Sequence, residues 1–214
     1  KTVKIHASLS LGGDTYPTFL RMTVVYTFLS EGGVILDFDN TVWKDAHYLP
    51  RFGVQFNMPE GNERLGYFGR GPEESYVDKR WASHEGEFHT TVTEHFEHYI
   101  KPQENLAHAD THWMYVTSLT GHGLLAAKDD QPFSFNCSHY TPEQLTETMH
   151  DYELTPMKET CVNIDARHNG IGSNSCGSVL YEHWQFKDKH FGFRFRLVPV
   201  FINDTDAYAE SRKK

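Results

Sequence analysis

Long apolar runs are missing from this 214-residue chain. No stretch approaches the roughly 20 residues that a bilayer-spanning helix requires, and the N-terminus has no apolar segment of the secretory kind. Cysteine is scarce: Cys137, Cys161 and Cys176 are an odd number at wide spacings, which fits neither a disulfide framework nor a CxxC metal knuckle. A reducing, cytoplasmic location is the simplest expectation. Positive charge is also short, with 20 Lys and Arg against 29 Asp and Glu and a net charge of -9. Such a field repels nucleic acid and anionic membranes, so neither is expected as a partner. Helical periodicity is nearly absent as well.

Period-two alternation is what the chain has instead. Phe52, Val54, Phe56 and Met58 alternate with Gly53, Gln55 and Asn57, giving one oily and one wet face. Val34, Leu36 and Phe38 repeat the pattern after a turn at Ser30 to Gly33, and Phe191, Phe193, Phe195 and Leu197 repeat it near the end. Further strands are expected at Phe19 to Leu29, Phe88 to Tyr99, His112 to Leu119, Phe133 to Ser138 and Val179 to Phe186. One helix signal stands out near 141–150: Thr141 as cap, Pro142 at the first helical position, Gln144 at the third, then Leu145 and Met149 four apart. Many strands without crossover helices predict an all-β, large antiparallel β-sandwich. The polar segment 204–214 is expected to fray.

The chemistry-bearing residues give weaker signals. Fourteen histidines invite a metal hypothesis, but HExxH is absent. In a strand over Phe88 to Tyr99, His89 and His95 share a face while His98 points the other way, so a three-histidine site is disfavoured. Glu73, Glu74 and Asp78 are the densest carboxylates. Sequence spacing does not set two carboxyls at a glycosidase separation, and pairing of Asp78 or a neighbouring Glu with Arg70 or Arg80 is the simpler reading. Cys176 would need His168 or His183 nearby to act as a nucleophile. The segment Asn169 to Ser178, NGIGSNSCGS, has the glycines of a phosphate cradle without its lysine or helix. Its backbone freedom, amides and hydroxyls suit the hydroxyls of a sugar.

Five segments, in order, are more specific: LPRFGVQF (Leu49 to Phe56), GYFGRGPEESYVDKR (Gly66 to Arg80), KPQEN (Lys101 to Asn105), FSFNCSHYTPEQL (Phe133 to Leu145) and VNIDARHNGIGSNSCGS (Val162 to Ser178). Together they resemble the C-terminal domain of the large bacterial β-galactosidases of glycoside hydrolase family 2, most of the small subunit in heterodimeric members. The resemblance runs from about Phe19 to Val200. It implies a supersandwich of the galactose-mutarotase kind, here an N-terminally truncated domain over 1–203 with a polar tail over 204–214.

The resemblance also implies that the catalytic glutamates and most Mg²⁺ and Na⁺ ligands lie in a separate TIM-barrel domain. This chain is then expected to hold no catalytic residue, metal or cofactor, and to be inactive alone. Its partners would be that barrel domain or large subunit, in an oligomeric enzyme acting on galactosides such as lactose. The loop matching Gly170 to Gly177 approaches the galactosyl pocket in the family, which makes Gly172, Ser173, Asn174, Ser175 and Cys176 the expected substrate-binding residues. Cys176 falls at or beside a position where some members present a stacking tryptophan. After Asn105 the family commonly continues with Gly and soon an Arg. Leu106, Ala107 and His108 stand here, so a charged contact is lost or made pH-dependent. A stand-alone aldose epimerase and a carbohydrate-binding module are the alternative functions.

Overall fold

The computed structural model describes residues 2–14, 17–171 and 179–213. Its described strands run β1 (Val3–Leu11), β2 (Leu20–Phe28), β3 (Val34–Val42), β4 (Arg51–Met58), β5 (Asn62–Gly71), β6 (His84–Thr91), β7 (His108–Thr111), β8 (Trp113–Ser118), β9 (His122–Lys128), β10 (Phe133–Ser138), β11 (Thr160–His168) and β12 (His190–Phe201). Two sheets result, an eight-stranded one in the order β1-β2-β3-β12-β9-β8-β5-β6 and a four-stranded one in the order β4-β11-β10-β7. Every described pairing is antiparallel. The chain is therefore all-β, as its alternation predicts.

Apolar residues spaced by two put one face of each sheet into a shared core. Phe38 of β3, Phe52 of β4 and Phe193 of β12 meet there, with ring centroids 5.8 Å (Phe38 to Phe52) and 6.0 Å (Phe38 to Phe193) apart. Phe135, Val162 and Ile164 fill the opposite layer. Helix α1 (Pro142–Glu147) forms where the cap signal places it, with Thr141 Oγ1 accepting from Gln144 N at 3.1 Å. It stops at Glu147, and a separate 3₁₀ turn follows at Asp151–Glu153.

Three local expectations are corrected. Val179 to Phe186 is not a strand: Val179 and Tyr181 are exposed, Glu182–Trp184 forms a 3₁₀ turn, and a single bridge joins Leu49 to Phe186. The strand expected over Phe88 to Tyr99 is β6 and ends at Thr91, whose Oγ1 accepts from Glu94 N at 3.1 Å and turns the chain. The 204–214 segment carries a short helix, α2 (Ala207–Ser211), capped by Asp206 and packed through Ala207 beside Trp113 and Leu125. A polar segment escapes fraying there because Ala207 finds an apolar seat and Asp206 caps the turn.

Candidate functional site

Strands β4 and β11 lie side by side, with Arg51 opposite His168 and Gly53 opposite Asp165. That register carries the Arg51 guanidinium to Asp165: Nε donates to Oδ1 at 3.0 Å and Nη2 donates to Oδ2, a two-pronged contact. Nη1 donates to Glu104 Oε2 at 2.6 Å. His168 Nε2 lies 2.9 Å from Asp165 Oδ2. Asp165 is only 2% exposed. Burial alone would raise its pKa, but the His168 imidazole and the Arg51 guanidinium outweigh it and hold the carboxyl below its usual range. Burial likewise works against the charge on Arg51, and the two carboxylates reverse this, raising its pKa. Gly53 makes room for the pair, since a Cβ there would meet Asp165 Oδ1 and Ile164 O at 2.3 Å.

Beyond His168, Asn169 to Ile171 are held by hydrogen bonds. Asn169 N donates to Pro50 O at 2.9 Å, and Asn169 Oδ1 accepts from Phe186 N at 2.6 Å. Gly170 N donates to Trp184 O at 3.1 Å, and a Cβ on Gly170 would fall 2.5 Å from Asp78 Oδ2. Asp78 Oδ1 accepts from Ile171 N at 2.9 Å. On the far side Gln185 Nε2 holds Leu180 O at 2.9 Å. The expected sugar-contacting residues Gly172, Ser173, Asn174, Ser175 and Cys176 lie outside the described residues.

Asp78 thus grips the loop, and the expected pairing of Arg70 and Arg80 is corrected. Both reach Asp110, at 2.9 Å from Arg70 Nε and 3.0 Å from Arg80 Nη1. Glu74 pairs with Lys79 and also accepts from Tyr99 OH and Leu106 N, each at 3.0 Å. A carboxylate with that many donors is an anchor for its loop. Leu106 and Asp110 both adopt positive φ, 46° and 53°, and these two carboxylate clusters hold them there.

Beside the Arg51 cluster runs a groove of about 490 Å³, between the apolar face of β2 and the edge of β4. Leu20, Met22 and Phe52 line its oily side, while Arg51, Glu104 and Asp165 line its polar side. Glu104 Oε1 is buried there without a hydrogen-bond partner among the described residues. Of the histidines proposed to activate Cys176, His168 is committed to Asp165, and the His183 ring packs on Trp184 at 4.6 Å. No local sequence signal marks the Arg51 to Asp165 contact, because its partners are 114 positions apart. Among the described residues, no three His, Cys, Asp or Glu side chains are grouped to hold a metal ion. Among the described residues, no helix is long and apolar enough to cross a membrane.

The fold and the groove define the class: an antiparallel sandwich domain whose charged clusters lock loops in place. A family model described as the β-galactosidase small chain matches residues 1–197, and the chain belongs to that family. The β-galactosidase of Staphylococcus xylosus is 36% identical over 195 residues, covering 91% of this chain and 19% of that protein. That of Actinobacillus pleuropneumoniae is 36% identical over 179 residues, covering 84% of the chain and 17% of the relative. The β-galactosidase of Kluyveromyces lactis is 31% identical over 151 residues, covering 70% and 14%. The chain spans no more than 19% of the length of these curated relatives.

Proposed function

We propose that this chain is the non-catalytic sandwich of a retaining β-galactosidase and works beside a catalytic barrel, on the same polypeptide or as a large subunit. The observation that carries the reading is the family match over residues 1–197 together with relatives of which the chain covers under one fifth. On this reading the carboxylates that cleave the glycosidic bond, and any Mg²⁺ or Na⁺, belong to the remaining portion. The loop Gly172 to Cys176 borders the galactosyl pocket. The residues leading into it support that role, because Asn169, Gly170 and Ile171 are held by Pro50, Phe186, Trp184 and Asp78.

The surface offers a face for such a partner. On β1, Val3, Ile5, Leu9 and Leu11 share one side with Phe28, Met22 and Leu20 of β2, the side that continues into the core. Val3 and Ile5 are nonetheless 63% and 52% exposed. The eight-stranded sheet outreaches the four-stranded one on this flank, and the groove beside β4 continues it. An apolar sheet face of that extent is suited to burial against further strands of the enzyme, each large side chain contributing about 1.5 to 3 kcal/mol when fully covered. The test is complementation: the chain is added to a β-galactosidase truncated before its small-chain region. Recovered turnover of a β-galactoside supports the reading, and no recovery with both pieces folded and mixed contradicts it.

A further inference from the structure

His95 and His108 form a buried pair that the proposed function does not use. His95 sits in the turn after β6 and His108 opens β7; their exposures are 4% and 0%. Their Nε2 atoms are 2.8 Å apart. His95 Nδ1 lies 3.0 Å from the main-chain oxygen of Cys137 on β10, and His108 Nδ1 lies 2.7 Å from that of Arg70 on β5. The pair therefore bridges the eight-stranded and four-stranded sheets.

Counting protons along this chain of contacts leads to a definite conclusion. A carbonyl oxygen only accepts, so each Nδ1 must carry a hydrogen. Two nitrogens at 2.8 Å need a hydrogen between them, because two lone pairs at that distance repel. The arrangement thus requires three hydrogens, whereas two neutral imidazoles supply two. We propose that His95 and His108 bind one proton between them as a single imidazole–imidazolium unit, and that its release opens one of the three contacts bridging the sheets.

The groups facing the pair supply no counter-charge. Tyr67 of β5 stacks on His108 with ring centroids 4.3 Å apart, and Phe135 of β10 covers both rings. Burial raises the pKa of the Tyr67 phenol and of the Cys137 thiol, which keeps both neutral. The Arg70 guanidinium is turned to Asp110. Burial accordingly pushes each ring down, His95 to about 4 and His108 to about 3, which opposes the first added proton and, through repulsion by a charged neighbour ring, opposes a second more strongly. The first is favoured over either ring alone by the N–H···N bond it completes. The joint closes on acidification and loosens as the proton leaves.

Nitrogen-resolved NMR of the histidine side chains, recorded on the 214-residue chain from pH 8.5 to pH 4, tests this, with His95→Gln and His108→Gln giving the assignments. The expected result is one shared step: both Nε2 signals move together by a total of one proton while both Nδ1 remain protonated in the closed state. Amide exchange around Cys137 and Ala109 should slow through that step by on the order of tenfold, the factor for one regained buried hydrogen bond. His108→Gln offers His95 Nε2 a neutral N–H donor, so the step should vanish with exchange staying slow at every pH. Two independent one-proton steps, or no step while the fold persists, would overturn the proposal.

Discussion

At the scale of single residues, the Asp165 carboxylate is buried against one guanidinium and one imidazole, at the point where β11 gives way to the polar loop. Replacing it with alanine removes the two-pronged contact and leaves the mostly buried Arg51 with Glu104 as its one carboxylate partner among the described residues. We expect Asp165→Ala to cost roughly 3 kcal/mol in urea unfolding, the scale for breaking a buried ion pair. The sign with pH follows from the lowered native pKa. The unfolded chain takes up the proton first, near pH 4, so the contribution is complete above that pH and fades below it. The gap between wild type and variant should therefore narrow in acid. Gly53→Ala probes the same contact from the other strand and should cost about 1 to 3 kcal/mol, because the new methyl overlaps both Asp165 and a main-chain oxygen. Cys137 and Cys161 are buried thiols, and burial pushes Cys161 up to about 11. Neither should label with a thiol reagent until the chain is denatured, as mass mapping of the modified peptides would show.

At the scale of elements, legibility followed burial on one face versus two. β10 was readable residue for residue, and β12 was readable from its alternating phenylalanines, because alternation reports a half-buried strand. β5 and β11 escaped notice. In β11 the residues from Thr160 to Asp165 are all buried, Asn163 and Asp165 included, so no polar face marks the period. β5 carries Gly66, Gly69 and Gly71 in one strand, glycines that read as turn signals. Gly66 is instead required by the Tyr115 ring, which a Cβ would approach to 2.4 Å. Val179 to Phe186 shows the converse error, since Val179 and Tyr181 face solvent while Leu180 and Phe186 are buried, around a 3₁₀ turn. The anchoring of Asn169, Gly170 and Ile171 was not legible, because Pro50, Asp78 and Trp184 converge on them only through the topology. The β1–β2 face makes its own prediction. Ile5→Lys with Leu9→Lys should leave the stability of the isolated chain within about 0.5 kcal/mol per site, because both side chains already meet water. The same pair should abolish association with the catalytic portion, read by analytical ultracentrifugation. Undiminished association would place the contact elsewhere.

At the scale of the whole molecule, the sandwich has one exposed apolar flank and a polar anchor at Asn169 to Ile171, and its relatives are about five times longer than it is. Both features make sense for a domain that shapes a pocket whose reacting groups come from elsewhere. If the proposed function is right, Cys176→Trp in the complete enzyme should change KM for a galactoside more than it changes thermal unfolding, since an aromatic at the pocket edge would add a stacking surface. Unchanged kinetics would return the loop to a purely structural role. The most direct measurement is β-galactoside turnover by the purified chain, free of host enzyme, alone and after mixing with the catalytic portion. The account predicts no turnover alone and restored turnover on mixing; robust hydrolysis by the isolated chain would contradict it.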